Sequence, residues 1–137
     1  MKVSDVMTKE VKMMTPEQSI QEAAQLMRSD DVGLLPLREG DRLVGMVTDR
    51  DIAIRAVAEG LSPKTKLREV MTEEVKYCFE DEEVERLAEN LSDNRLRRMP
   101  VLNREKRLVG IVSVADLASK EAILDAGNAM SGIAQRH

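Results

Sequence analysis

Residues 42–53 read RLVGMVTDRDIA, and residues 107–118 read RLVGIVSVADLA. Each is an apolar run with β-branched residues that ends in a hydroxyl, Thr48 or Ser113, with a carboxylate three places on. That pattern describes a strand turning into a helix. Outward from this block the repetition continues, because VMTKEVK from Val6 returns as VMTEEVK from Val70. The first block recurs at an offset of 64 (Val6 to Val70) and the second at 65 (Arg42 to Arg107). One inserted residue therefore falls between Leu37 and Leu43 or in its counterpart from Leu102 to Leu108, a Gly/charged stretch that reads as a hairpin loop. A duplication of this length implies two pseudo-symmetric halves that bury each other's apolar faces.

The chain has 137 residues, enough for one compact module. A half of roughly 65 residues would bury only about 60% of its unfolded surface and be marginal alone, so the halves are expected to pack together. Each copy opens with a short lead, Val3–Met7 or Leu67–Met71, followed by a β-like stretch at 10–14 or 74–79. An amphipathic helix comes next. Ile20, Ala23, Ala24 and Met27 keep helical spacing behind a Ser19-x-x-Glu22 capping box, and Val84, Leu87, Ala88 and Leu91 repeat the pattern. Two strands follow, 34–37 with 43–48 and 99–102 with 108–113. Pro36 and Pro100 in the first of each pair suggest an edge or a strand start. A last helix begins near Asp49, with Ile52, Ala53, Ala56 and Val57 as its buried face and Gly60 as its stop. Its counterpart runs from about Ala115 to Asp125 and stops at Gly127. The expected fold class is α/β (α+β), with two pseudo-symmetric β-α-β-β-α repeats at 1–60 and 67–126. A linker at 61–66 joins them, and a flexible tail occupies 127–137.

Composition removes several functions. Net charge is −4 and Tyr77 and Phe79 are the only Tyr, Phe or Trp residues, so neither a cationic surface nor a stacking platform suits nucleic acid. No run approaches the roughly 20 apolar residues of a membrane span, and Asp5 interrupts any signal-peptide pattern. A single cysteine, Cys78, fits a reducing, cytoplasmic setting. The only histidine is His137, the last residue, which argues against transition-metal sites and histidine-based catalysis. Glu80–Glu83 could bind a divalent cation but reads more simply as a solvated turn before a helix. The methionines are most simply core filler. No catalytic residue and no metal ligand are assigned, and no covalent cofactor is expected.

The chemistry-bearing feature is the hydroxyl-x-x-acid step at each strand-to-helix junction. As a cap, the hydroxyl takes an orphan backbone N–H and the acid suits the positive helix end. As a nucleotide clamp, the same groups would meet a phosphate and both ribose hydroxyls. The motif alone favours capping.

The duplicated unit resembles the CBS domain, over nearly everything from Val3 to Ile123. The likeness rests on the order of elements, the early VMT followed by V, the proline in the middle strand, and the terminal G-h-h-[ST]-x-x-D. TDRDIAIRAVAEG is particularly like the stand-alone bacterial CBS-pair proteins. The resemblance implies a sensor that binds AMP, ADP, ATP, NAD or S-adenosylmethionine in clefts between the repeats. It gives the ribose to Asp51 and Asp116, with Thr48 and Ser113 near ribose and phosphate. Residues before the middle-strand proline would line the base or reach the phosphate: Leu96, Arg97 and Arg98 in one copy, and Val32, Gly33 and Leu34 in the other. The adenine would pack on the early strand, through Met13 and Met14 or Tyr77 and Cys78. Arg97 and Arg98 beside Ser113 could neutralise a phosphate, whereas Asp49 would repel one, so the Asp116 cleft is expected to prefer phosphorylated ligands. Alternatively, Arg95, Arg97 and Arg98 form only a solvated edge paired with the acidic run 80–83. The resemblance further implies a homodimer, through helix faces near Ile52, Val57, Leu117 and Ile123, and an unknown protein target in trans. The competing reading is a ligand-free dimerisation or scaffold module. Against it stands the acid in both copies, on the reasoning that a pure cap needs none at its third position.

Overall fold

The computed structural model describes residues 1–119 and 130–133. Its elements are α1 (Val3–Val6), α2 (Ile20–Asp30), β1 (Leu34–Glu39), β2 (Arg42–Thr48), α3 (Asp49–Asp51), β3 (Cys78–Phe79), α4 (Val84–Asn94), β4 (Arg98–Leu102), β5 (Leu108–Ser113) and α5 (Val114–Ser119). A π-helical run, Ile52–Val57, continues α3, and a 3-10 turn covers Leu67–Glu69. The class is mixed α+β with small sheets and two repeats.

The compact units do not coincide with the sequence repeats. One unit comprises residues 12–75, and the other comprises 1–11 with 76–137. Each therefore takes its lead segment from the other copy. In the unit of residues 12–75, Leu67 and Val70 are fully buried with Met14, Ile20, Ala23, Leu35, Leu37, Val47 and Ala56. In the other unit, Val3 and Val6 are buried with Cys78, Val84, Leu87, Leu91, Met99, Val101, Val112 and Leu117. Each fully buried Val or Leu contributes about 1.5–3 kcal/mol, which is what ties each lead to its unit.

In the unit of residues 12–75, β1 and β2 form an antiparallel hairpin in which Leu34 faces Thr48 and Glu39 faces Arg42. Gly40 supplies the positive φ (61°) that its tight turn requires. The equivalent turn after β4 is longer and uses Lys106 at φ 61°, which accommodates the inserted residue. The other unit has a three-stranded sheet in the order β3-β4-β5, parallel then antiparallel.

Several local expectations need correction. The early β-like stretches shrink to one bridge, Met14 with Leu37, and to the two-residue β3. Turns at Thr15–Gln18 and Phe79–Glu82 end the pairing at once. Pro100 lies inside the central strand β4, not at an edge. It is tolerated because β3 pairs only with Val101 and Leu102, so no ladder bond is asked of its missing N–H. Ala24, Ala53 and Val57 are exposed, while Ile20, Ala23, Met27 and Ala56 carry the buried faces. For the last helix the cause is its winding: Ala58 N–H bonds to Ala53 O, five residues back, so 3.6-residue periodicity no longer selects the inward side. Leu117, expected on an exposed face, is fully buried. Ile123, the helix end near Asp125 and the stop at Gly127 lie outside the described residues. Of the tail 127–137, residues 130–133 are helical and Ile133 is buried rather than free in solvent.

Candidate functional site

Each strand-to-helix junction is a reciprocal capping box. Thr48 is extended (φ −115°, ψ 164°), its hydroxyl accepts from Asp51 N–H at 3.0 Å, and its own N–H donates to Asp51 Oδ2 at 2.9 Å. In the second copy Ser113 Oγ accepts from Asp116 N–H at 3.2 Å, while Ser113 N–H and hydroxyl donate to Asp116 Oδ2 at 2.9 and 3.1 Å. The third-position acid thus has a structural job in both copies. The argument that a cap needs no such acid is wrong, because the carboxylate satisfies the orphan N–H of the capping residue.

The repeated glycine and the repeated VMT are two sides of one crossing. Thr8 exchanges two backbone hydrogen bonds with Ile111 of β5, at 2.8 and 3.0 Å. A Cβ on Gly110 would lie 2.8 Å from Thr8 O and 2.7 Å from Met7 Sδ. Thr72 pairs with Met46 of β2 in the same way, at 2.8 and 2.9 Å. Gly45 leaves only 3.1 Å to Thr72 O. Glycine is needed here for close backbone approach, which lays the lead threonine beside the junction.

In the unit of residues 1–11 and 76–137 this arrangement opens a cleft of about 470 Å³, within the range of small-molecule sites. Arg97, Arg98, Ser113 and Asp116 all line it, so four of the residues singled out from sequence meet in one place. Thr8 and Met130 line it too and were not singled out. Thr8 was visible as part of the repeated VMT; for Met130 no sequence signal pointed there. Both arginines are exposed, and among the described residues neither guanidinium has a hydrogen-bond or ion-pair partner. The acidic run is engaged elsewhere. Asp81 takes a bidentate bond from Arg104, which also lies over the Phe79 ring at 4.1 Å, and that hydrogen bond holds the Asp81 carboxyl below its ordinary range. Glu82 accepts from Phe79 N–H and Glu83 pairs with the N-terminal ammonium. Arg95, Arg97 and Arg98 are exposed, as a solvated edge would be, but among the described residues none of them pairs with that run.

The remaining candidates do not line this cleft. Leu96 is half-buried against its unit's core and does not line the cleft. Tyr77 stands edge-on to Phe79, with centroids 5.5 Å apart. Cys78 is buried, donates its S–H to Pro100 O at 3.8 Å, and has its pKa pushed up to about 12, first by burial and then by Glu82. A protonated, enclosed thiol is a core group. Met14 is likewise core, and Met13 is half-buried in irregular chain. Val32 is exposed, Gly33 O accepts from Asp49 N–H at 2.9 Å, and Leu34 pairs with Thr48.

The unit of residues 12–75 carries different groups at the corresponding positions. Gly33 stands where the other copy has Arg97, and a Cβ on it would meet Asp49 Oδ2 at 2.9 Å. Arg55 donates to Val70 O, Met71 O and Thr72 Oγ1 at 3.2, 3.3 and 3.4 Å, and its Nε lies 3.8 Å from Asp51 Oδ1. Among the described residues no group of three or more His, Cys, Asp or Glu could hold a metal ion, and no helix is long and apolar enough to cross a membrane.

The family model for the CBS domain matches residues 3–57 and again 67–122. The chain is 38% identical over 136 residues to the CBS domain-containing protein YhcV of Bacillus subtilis, covering 98% of this chain and 96% of that protein. The crystal structure of Hypoxic Response Protein I, with two coordinated zinc ions, superposes with a TM-score of 0.79 at 35% identity, over 88% of this chain and 98% of that one. Hypoxic response protein 1 of Mycobacterium tuberculosis is 38% identical to this chain over 116 residues, 83% of this chain and 80% of that protein. The CBS domain pair of protein MJ0100, in complex with 5′-methylthioadenosine and S-adenosyl-L-methionine, superposes with a TM-score of 0.78 at 32% identity, over 87% of this chain and 94% of that one.

Proposed function

The chain belongs to the CBS domain family, and from that premise we propose that it is a regulatory module that binds an adenosyl ligand in the cleft around Asp116. The observation that carries this reading is the meeting of Ser113 and Asp116 with two guanidiniums, Arg97 and Arg98, that have no partner among the described residues, in one cleft of about 470 Å³. A carboxylate has about four acceptor sites, which is the chemistry by which an acid at this position can meet ribose hydroxyls as well as cap a helix. Two guanidiniums at the rim complement a phosphate, which favours AMP, ADP, ATP or NAD over uncharged adenosine. The ligands in the MJ0100 complex support the adenosyl class.

The module acts in trans on a protein target, as a homodimer in the cytoplasm. Ile54 and Val57 are more than half exposed on the π-helical run, an apolar surface suited to isologous pairing. The unpaired Cys78 is consistent with a reducing compartment. The capping boxes favour one rival, a ligand-free scaffold in which both acids are only caps.

Isothermal titration with AMP, ADP, ATP, NAD, S-adenosylmethionine and adenosine separates the two readings. The sensor binds at least one of them. Asp116→Ala abolishes binding in this cleft, and Arg98→Ala weakens ligands in proportion to their phosphate charge while leaving adenosine little changed. If none of the six binds at millimolar concentration, the scaffold reading replaces this one.

A further inference from the structure

Three features place the helical turn at residues 130–133 within the unit of residues 1–11 and 76–137. Ile133 is buried, with 6% of its surface exposed. Gly132 lies directly on α4: a Cβ there would overlap Ser92 Oγ and stand 2.6 Å from Ser92 Cβ and 2.8 Å from Ser92 Cα. The last of these atoms is backbone, in a helix whose Leu87, Ala88 and Leu91 are core, so it cannot give way. Met130 lines the cleft that holds Arg97, Arg98, Ser113 and Asp116. Residues three apart are neighbours on a helix, so burying Ile133 and seating Gly132 on Ser92 determine where the Met130 side chain stands.

The cleft offers cations and hydroxyls, yet among the described residues no aromatic ring lines it. Tyr77 and Cys78, expected to pack against an adenine, are not in its walls. Of its apolar side chains, Ala115 and Ala118 are short, and Ile111 and Val114 are β-branched and stiff. Met130 is the one that is long, unbranched and carries a sulfur, and a thioether packs favourably against an aromatic ring. We propose that Met130 is a specificity-determining residue of this cleft, packing on the base of the ligand, and that Gly132 is the notch that seats it. This rests on the adenosyl-binding reading above. The ligand is thereby divided by chemistry: phosphate to Arg97 and Arg98, ribose to Ser113 and Asp116, base to Met130. Linkage is reciprocal, so a ligand that gains affinity from the seated Met130 stabilises the seating of residues 130–133 by the same factor.

The test uses AMP and adenosine as probes on the full chain, with calorimetry for affinity and ¹³C-methyl methionine NMR for contact. AMP should shift the Met130 methyl resonance, identified by its loss in Met130→Leu, and Asp116→Ala should abolish that shift. Met130→Ala should weaken AMP and adenosine by the same factor, roughly tenfold, or about 1.4 kcal/mol. Met130→Leu, which keeps the bulk without the sulfur, should lose less. Equal factors mark a base contact, because Arg98→Ala acts on AMP alone. Gly132→Ala should reproduce the Met130→Ala loss, and adding Ser92→Gly, which deletes the two nearest atoms, should recover part of it. Met130 is 37% exposed, so its variants carry the test if thermal melting shows that Gly132→Ala does not fold. A Met130→Ala protein within about twofold of wild-type affinity, or a Met130 methyl that bound AMP leaves unmoved, overturns the proposal while the adenosyl reading stands. A loss confined to AMP assigns Met130 to the phosphate end and overturns the base contact. Wild-type affinity in a folded Gly132→Ala overturns the seat. A wild type that binds neither probe refutes both the adenosyl reading and the role of Met130.

Discussion

Gly110→Ala is the sharpest probe of how the lead segment is attached. The added methyl would stand 2.8 Å from Thr8 O, 2.7 Å from Met7 Sδ and 3.1 Å from Met7 Cγ. The thioether end can swing away, but Thr8 O is held by the Ile111 N–H at 3.0 Å and cannot retreat without breaking that bridge. Overpacking of this kind costs about 1–3 kcal/mol, and weakening the paired bridge adds about 0.5–1.5 kcal/mol per bond. The expected loss is about 2–4 kcal/mol. At this chain length each kcal/mol moves the melting midpoint by roughly 3–5 °C, so the midpoint should fall by roughly 10 °C. Gly110 has no positive φ, so the effect is steric rather than conformational. Gly45→Ala, with 3.1 Å to Thr72 O, should cost less. Gly40→Ala has open space around it but φ 61°, and should cost about 1–2 kcal/mol from left-handed backbone strain. Adding Met7→Ala to Gly110→Ala should restore only the small part due to sulfur. Thermal and urea unfolding measure the series. A Gly110→Ala protein within about 0.5 kcal/mol of wild type would refute the crossing as the attachment of residues 1–11.

Two further outcomes are expected. Cys78 should resist alkylation in the native state at neutral pH, because its pKa is raised to about 12, and should react only on unfolding. Since the unfolded thiol ionises near pH 8.5 and the folded one near 12, its contribution is complete below the lower value and declines as pH rises between them; a Cys78→Ser control that shows the same decline in urea midpoint refutes the assignment. Val57→Asp, at a side chain 68% exposed, should leave the melting midpoint within a few degrees of wild type, in line with about ±0.5 kcal/mol for surface changes, yet dissociate the proposed homodimer in sedimentation velocity. A dimer that survives the substitution places the interface elsewhere.

What the sequence by itself determined was whatever depends on near neighbours. The strands around Val44–Val47 and Val109–Val112, the Ser19–Glu22 box and the hydroxyl-x-x-acid junctions were legible because alternation, capping and turn residues act within a few positions. The resemblance of each copy to the CBS domain carried the family and the expected meeting of Ser113 and Asp116 with Arg97 and Arg98. Only the tertiary structure decided which lead belongs to which unit. A repeat writes the same VMT twice, and either copy could satisfy the notch at Gly45 or Gly110; the choice is a long-range packing event with no local signature. The winding of the last helix was equally hidden, since the sequence has helical spacing but Ala58 N–H bonds five residues back to Ala53 O, which moves its inward side. The same holds for the surroundings of the two acids. Asp51 and Asp116 are one letter in one motif, yet Asp51 sits 3.8 Å from Arg55 while Asp116 borders a cleft rimmed by Arg97 and Arg98. Charge acts through space, so the identity of a carboxylate is read along the chain but its partner is settled only when distant segments are folded beside it.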